Sequence, residues 1–208
     1  AMVQNDVHEL YFAEPVDLDN YQAIAIGPGI GQEEETALAT FDQLADCYIP
    51  AVLDADAINI LSSHRNYLNR LPRRSILTPH IGELERLIGR CNDSFDRLTK
   101  AKELAAYLQC YIVLKGAYST VITPEGKFYF NPTGNPGMAT GGSGDVLTGI
   151  ILALLAQGYS QENAARLGTF VHGLAGDIAC RRTGEISLTA SDIIAALPEA
   201  WKELCETK

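Results

Sequence analysis

The sequence predicts an α/β protein, a three-layer α/β/α arrangement with a mostly parallel central sheet. Three observations predict it. Short apolar runs of strand length recur along the chain, and segments with helical spacing separate them. Glycines, prolines and chemically active side chains gather just after the runs, where the ligand edge of such a sheet lies.

Residues 21–27 (YQAIAIG) form an apolar run that ends in Gly-Pro-Gly, a buried strand entering a loop. In residues 32–47, Ala37, Leu38, Phe41, Leu44 and Ala45 recur at helical spacing. Residues 50–54 (PAVLD) read as a second strand and 57–63 as a short helix. Residues 75–79 (SILTP) read as a third strand, with a helix over 82–89. Leu98, Ala101, Leu104, Ala105 and Leu108 mark a further helix before the strand at 111–115 (YIVLK). Two short runs at 120–123 and 127–130 flank Pro124-Glu125-Gly126 and predict a hairpin. Beyond it the chain reads as helical, with starts near Ser143, Ser160 and Thr189. Ser160 with Asn163 forms one cap, and Ser191 with Asp192 leads the last helix. There is no internal repeat or linker, so 1–208 is expected to be a single domain.

Composition excludes several function classes. In 208 residues, 26 acidic against 16 basic side chains give a net charge of −10. That balance argues against nucleic acid or an anionic membrane as partner, since both need clustered lysine and arginine. The apolar run at 146–156 is too short to span a bilayer. Five scattered cysteines without C-x-x-C spacing read as reduced thiols, which predicts a cytoplasmic protein without a zinc site.

Four loops at the strand ends carry the candidate chemistry. Gly27-Pro28-Gly29-Ile30-Gly31 either admits close approach of a ligand to backbone or makes a tight turn. In Asp54-Ala55-Asp56, Asp56 either caps the next helix or supports a metal-bound water or a neighbouring loop. In Thr78-Pro79-His80-Ile81-Gly82-Glu83, His80 stands at the functional edge. Glu83 is either a metal or polar-ligand contact or a first-turn acid favoured by the helix dipole. The strongest signal is the run from Asn135 to Asp145, where glycines crowd the mouth of a long apolar helix. Unpaired amides there make an anion hole suited to a phosphoryl group. Asp145 beside it suits a general base that takes a proton from a hydroxyl, against the plainer role of an acid stabilising the helix start. Lys115-Gly116 closes another strand, either to meet phosphates or as a solvated lysine and a turn.

The segments GPGIG, LDADAIN, LTPHIGELERL, VLKGAYST and NPTGNPGMATGGSGDVLTGI, in this order, resemble the ADP/ATP-dependent NAD(P)H-hydrate dehydratases. The resemblance runs from residue 21 to 201 and implies a ribokinase-like fold. It implies phosphorylation of the ring hydroxyl of hydrated NADH or NADPH, followed by loss of phosphate. Asp145 would be the catalytic base, with Gly142 and Gly144 in the amide cradle. Gly29, His80 and Asp145 match positions that hold the hydrated dinucleotide. Lys115, Gly116, Ala117, Tyr118, Ser119 and Gly144 match positions that hold the adenine nucleotide. ADP or ATP would be the phosphoryl donor, with Mg2+ on its phosphates and Glu83 as a candidate metal ligand. A homotetramer and a fused NAD(P)H-hydrate epimerase domain are also implied. The loop KGAYST is longer than the family's KG-x-x-T, which passes the threonine's role to Ser119 or Thr120. The family domain begins with a further glycine-rich strand–helix–strand unit. The chain starts after it, so an exposed sheet edge or apolar seam is expected. Two other readings stand beside this one: a ribokinase-like small-molecule kinase, and a nucleotide-binding module without turnover.

Overall fold

The computed structural model describes residues 3–206. Its centre is a six-stranded sheet whose spatial order follows the chain. The strands are β1 (Ile24–Ile26), β2 (Ala51–Leu53), β3 (Ile76–Leu77), β4 (Tyr111–Leu114), β5 (Thr120–Ile122) and β6 (Phe128–Phe130). The first four pair in parallel, and β5 and β6 continue as an antiparallel hairpin. Each strand is shorter than its apolar run, because the outer residues of the run lie beyond the paired ladder.

The connecting helices are α1 (Glu34–Ala45), α2 (Ala55–Ser63), α3 (Ile81–Ile88) and α4 (Ser94–Leu108). They bury Phe41, Ile58, Leu84 and Ala105 against Ile26, Leu53, Leu77 and Ile112 on one face of the sheet. The other face, with Val52, Ile76, Tyr111 and Val113, is covered by α5 (Ser143–Ala156) and α6 (Gln161–Thr183). A third apolar cluster joins α6 to α7 (Ala190–Glu206). The result is the three-layer α/β/α arrangement. Strand β4 shows its logic: all four residues are buried, and alternate ones face opposite cores.

Local chemistry sets the helix starts. Ser160 caps α6 by accepting from the amide of Asn163. At α7 the capping hydroxyl belongs to Thr189, not Ser191: its Oγ1 accepts from the Asp192 amide, and Asp192 Oδ2 accepts from the Thr189 amide. Helix α2 starts at Ala55, two residues earlier than its apolar pattern suggests. The five cysteines are free. Among the described residues no helix is long and apolar enough to cross a membrane.

The sheet ends at β1. Beside it lies an apolar groove of about 310 Å3, lined by Phe12, Val16, Leu18 and Tyr21 together with β1 itself. Among the described residues, 3–23 have no regular structure, and a buried side chain helps to fasten them. Gln43 on α1 accepts from the Val16 amide at 2.6 Å and donates to the Val16 carbonyl at 3.1 Å.

Candidate functional site at the carboxyl ends of the strands

Strands β1 to β4 run in parallel, so Gly27, Asp54, Thr78 and Lys115 all leave the sheet at one edge. The first turn is unusually tight. Gly27 has φ +133°, and a Cβ at this position would collide with the carbonyl oxygen of Asp54. The loop that follows is held from the next strand end. Asp56 accepts from the Gly31 amide at 3.1 Å and from Gln32 Nε2 at 2.8 Å. Of its alternatives, Asp56 therefore supports the neighbouring loop. Gly29 has φ +69° with open space around its missing Cβ, so backbone conformation and not crowding selects glycine there.

His80 is the N-cap of α3. Its Nδ1 accepts from the amides of Gly82 and Glu83 at 3.0 and 3.2 Å, and Glu83 Oε2 accepts from the His80 amide at 2.8 Å. The pair is a capping box built on imidazole. An accepting Nδ1 places the proton of the neutral ring on Nε2. The side chain is about half exposed, while the Glu83 carboxylate is buried.

Lys115 is locked in place by its backbone. Its amide donates to Pro79 O at 2.8 Å, in an isolated parallel bridge with His80. Its ammonium does not reach for solvent. Nζ donates to the buried Asp54 Oδ1 at 2.7 Å and lies 3.9 Å from Glu83 Oε2. Residues Gly116, Ala117 and Tyr118 form an exposed turn, braced where Ser119 Oγ donates to Gly116 O at 3.2 Å.

Helix α5 opens on Gly142, whose φ of +83° turns the glycine-rich loop into the helix. Gly141 and Gly142 are exposed, and the first-turn amides lie at the positive end of the dipole. A Cβ on Gly144 would stand 3.3 Å from Lys115 Nζ and 3.8 Å from Asp54 Oδ2. The strand-end lysine and the helix mouth thus form one positively polarised cradle. Asp145 is exposed at its rim, and no side-chain hydrogen bond or ion pair engages it among the described residues. It also lines a groove of about 880 Å3 that runs along α5 and α7 to Trp201.

Three side chains of the site escaped the sequence reading. Thr148 donates to Asp54 Oδ2 at 2.8 Å. His172 Nε2 lies 3.3 Å from Ser143 Oγ at the helix mouth. Asp177 accepts from the Gly134 amide and from Asn135 Nδ2, pinning the glycine-rich loop to α6. His172 and Asp177 did leave a signal, as polar residues in a helix whose buried positions are mostly alanine, glycine and aliphatic.

Burial pushes the His172 ring down to about 4, and the Lys115 charge acts the same way against the opposing Ser143 hydrogen bond. The ring is therefore neutral in the fold and ionises more readily when unfolded. Between pH 4 and 6.5 the unfolded chain binds more protons, so stability must fall as pH drops through that window. The full effect is on the order of 3 kcal/mol. Urea melts at pH 7 and pH 4.5, with His172→Gln as control, measure it. An equal acid loss in the variant would sink the assignment.

The donor set does not fit a resident magnesium ion. Asp54 is bonded to Lys115 and Thr148, and Glu83 serves the capping box. Among the described residues no group of three or more His, Cys, Asp or Glu side chains could hold a metal.

Similar proteins bear on this geometry. The Arabidopsis thaliana ribokinase bound to ribose and ATP matches with a TM-score of 0.58 at 16% identity, over 90% of this chain and 61% of that one. That likeness shows the fold alone; a ribokinase-like superfamily protein of Enterococcus faecalis, with a TM-score of 0.74 at 30% identity over 88% of this chain and 63% of that one, places the chain in the ribokinase-like α/β/α class. The model of the NAD(P)H-hydrate dehydratase family matches residues 2–199. The chain belongs to that family. The bifunctional NAD(P)H-hydrate repair enzyme of Thermofilum pendens is 43% identical over 185 residues, 88% of this chain and 35% of that enzyme. The ADP-dependent (S)-NAD(P)H-hydrate dehydratase of Bacillus subtilis is 38% identical over 190 residues, 88% of this chain and 65% of that one. A crystal structure of the Bacillus subtilis ADP/ATP-dependent enzyme, co-crystallised with ATP and Mg2+, matches with a TM-score of 0.78 at 36% identity. It covers 92% of this chain and 68% of that one. The chain thus spans about a third of the bifunctional relatives and about two thirds of the single-function one.

Proposed function

We propose that the protein dehydrates hydrated NADH and NADPH, using ADP or ATP as phosphoryl donor. One observation carries the reading: Asp145, with no side-chain partner among the described residues, stands at the rim of a cradle made by the α5 amides and the Lys115 ammonium. A cradle of that kind binds phosphoryl oxygens. A free carboxylate beside it takes the proton of an attacking hydroxyl.

In this reading Asp145 removes the proton of the ring hydroxyl as its oxygen attacks the terminal phosphoryl group. AMP leaves when ADP is the donor. The first-turn amides from Gly142 to Gly144 balance charge on the transferring group. The ring nitrogen's lone pair then expels phosphate, and a proton lost from the neighbouring ring carbon restores the double bond. Gly29, His80 and Asp145 hold the hydrated dinucleotide. Lys115, Gly116, Ala117, Tyr118, Ser119 and Gly144 hold the adenine nucleotide. Magnesium belongs to the nucleotide phosphates in this reading, because the side chains among the described residues offer it no cage. A cytoplasmic homotetramer fits the same reading. The length of the bifunctional relatives fits a fused NAD(P)H-hydrate epimerase in the whole protein.

The test is to incubate the protein with purified hydrated NADH, ADP and magnesium and to follow the return of dihydronicotinamide absorbance. Recovery that requires the nucleotide supports the reading. A stable phosphorylated product without recovery would make it a kinase, and bound nucleotide without any product would make it a binding module.

A further inference from the structure

Asp54 occupies the N-cap position of α2, yet its carboxylate does not cap that helix. The side chain is 1% exposed and turns inward. Oδ1 accepts from Lys115 Nζ at 2.7 Å, and Oδ2 accepts from Thr148 Oγ1 at 2.8 Å. One carboxylate therefore ties the end of β4 to the second turn of α5. The residue after it, Ala55, has φ +46°, a left-handed conformation that an alanine adopts only at a cost. Burying a carboxylate and straining the next residue do little for stability, since a buried ion pair rarely outdoes apolar packing. What the arrangement gives is position. Lysine carries its charge on a flexible four-carbon stem, and Asp54 holds that charge beside Gly144 at the helix mouth. One of the three ammonium N–H groups is taken by Asp54, which leaves donors for a ligand.

We infer that Asp54 is a positioning residue. It holds the Lys115 ammonium against the first turn of α5, so that the phosphates of a nucleoside diphosphate meet a fixed positive charge beside the amides. The inference rests on the nucleotide reading above, and it assigns to Asp54 and Thr148 a role that acts wholly through Lys115.

The experiment is a double-mutant cycle read as ADP affinity by calorimetry, with KM for hydrated NADH as the second readout. Asp54→Asn is expected to weaken ADP binding about tenfold and Lys115→Met about thirtyfold, the scale of a charge-assisted hydrogen bond. KM for hydrated NADH should stay within about twofold, which a general loosening of the site would not allow. In the Lys115→Met background, Asp54→Asn should add no further loss. Thr148→Val, which removes only the second anchor, should weaken ADP about threefold in the parent and not at all beside Lys115→Met. It carries the same cycle if Asp54→Asn does not fold. Additive losses, or equal losses for both ligands, overturn the inference while leaving the nucleotide reading intact. Failure of the unaltered protein to bind ADP overturns both.

Discussion

Asp145→Asn is expected to lower the rate of dihydronicotinamide recovery by about three orders of magnitude, in the middle of the range that a positioned general base contributes. The fold gives this variant unusual clarity. Asp145 is exposed on the first turn of α5, and its carboxylate supports no other side chain among the described residues. Asparagine has the same shape, so the melting temperature should move by no more than about 2 °C, the effect of a surface substitution. ADP affinity should hold or rise slightly, because a negative charge beside the phosphates is removed. Steady-state rates, a thermal melt and an ADP titration on one preparation separate these effects. A variant that keeps a tenth of the parent rate would remove Asp145 from the proton transfer.

Gly27→Ala is expected to be the most damaging of the small substitutions at the strand ends. The residue has φ +133°, where an L side chain is strained, and the new methyl would meet the Asp54 carbonyl and approach the Ala57 Cβ to 3.1 Å. Strain and overpacking together predict a loss of about 3 kcal/mol, or roughly 10 °C in melting temperature for a chain of this size. The matched control is Gly29→Ala. Its φ is also positive, at +69°, but nothing lies within 4 Å of the added atom. That variant should lose only about 1 kcal/mol, the left-handed penalty alone. Equal losses in the two would show that the Asp54 carbonyl can move aside.

The fold was largely legible because its signals are local. A strand such as β4, buried on both faces, leaves a continuous apolar run, and helices such as α1 leave a 3.6-residue period. The glycine-rich mouth of α5 was legible for the same reason, since the residues from Gly141 to Asp145 lie side by side in the chain. What escaped were partners distant in sequence. Asp54 and Lys115 are 61 positions apart, and Asp54 and Thr148 are 94 apart. Nothing in DAD or KGA states that one carboxylate will turn from its own helix toward two other elements. Glu83 illustrates the converse. Its carboxylate has a short-range task, closing the capping box with His80, although a loop at a ligand edge suggested a metal.

The alternating burial along β4 has a mechanical consequence. Tyr111 and Val113 seat in one core while Ile112 and Leu114 seat in the other, and the next residue is Lys115. A strand advances about 3.3 Å per residue, whereas a catalytic or binding constellation tolerates errors of only about 0.5 Å. Sliding by one residue would push every one of these side chains into the wrong layer at once, so the strand has a single seat. The two cores act as a gauge block for the charged edge. The accuracy with which the ammonium is delivered is set by hydrocarbon packed a few residues upstream, in the buried layers on either side of the sheet.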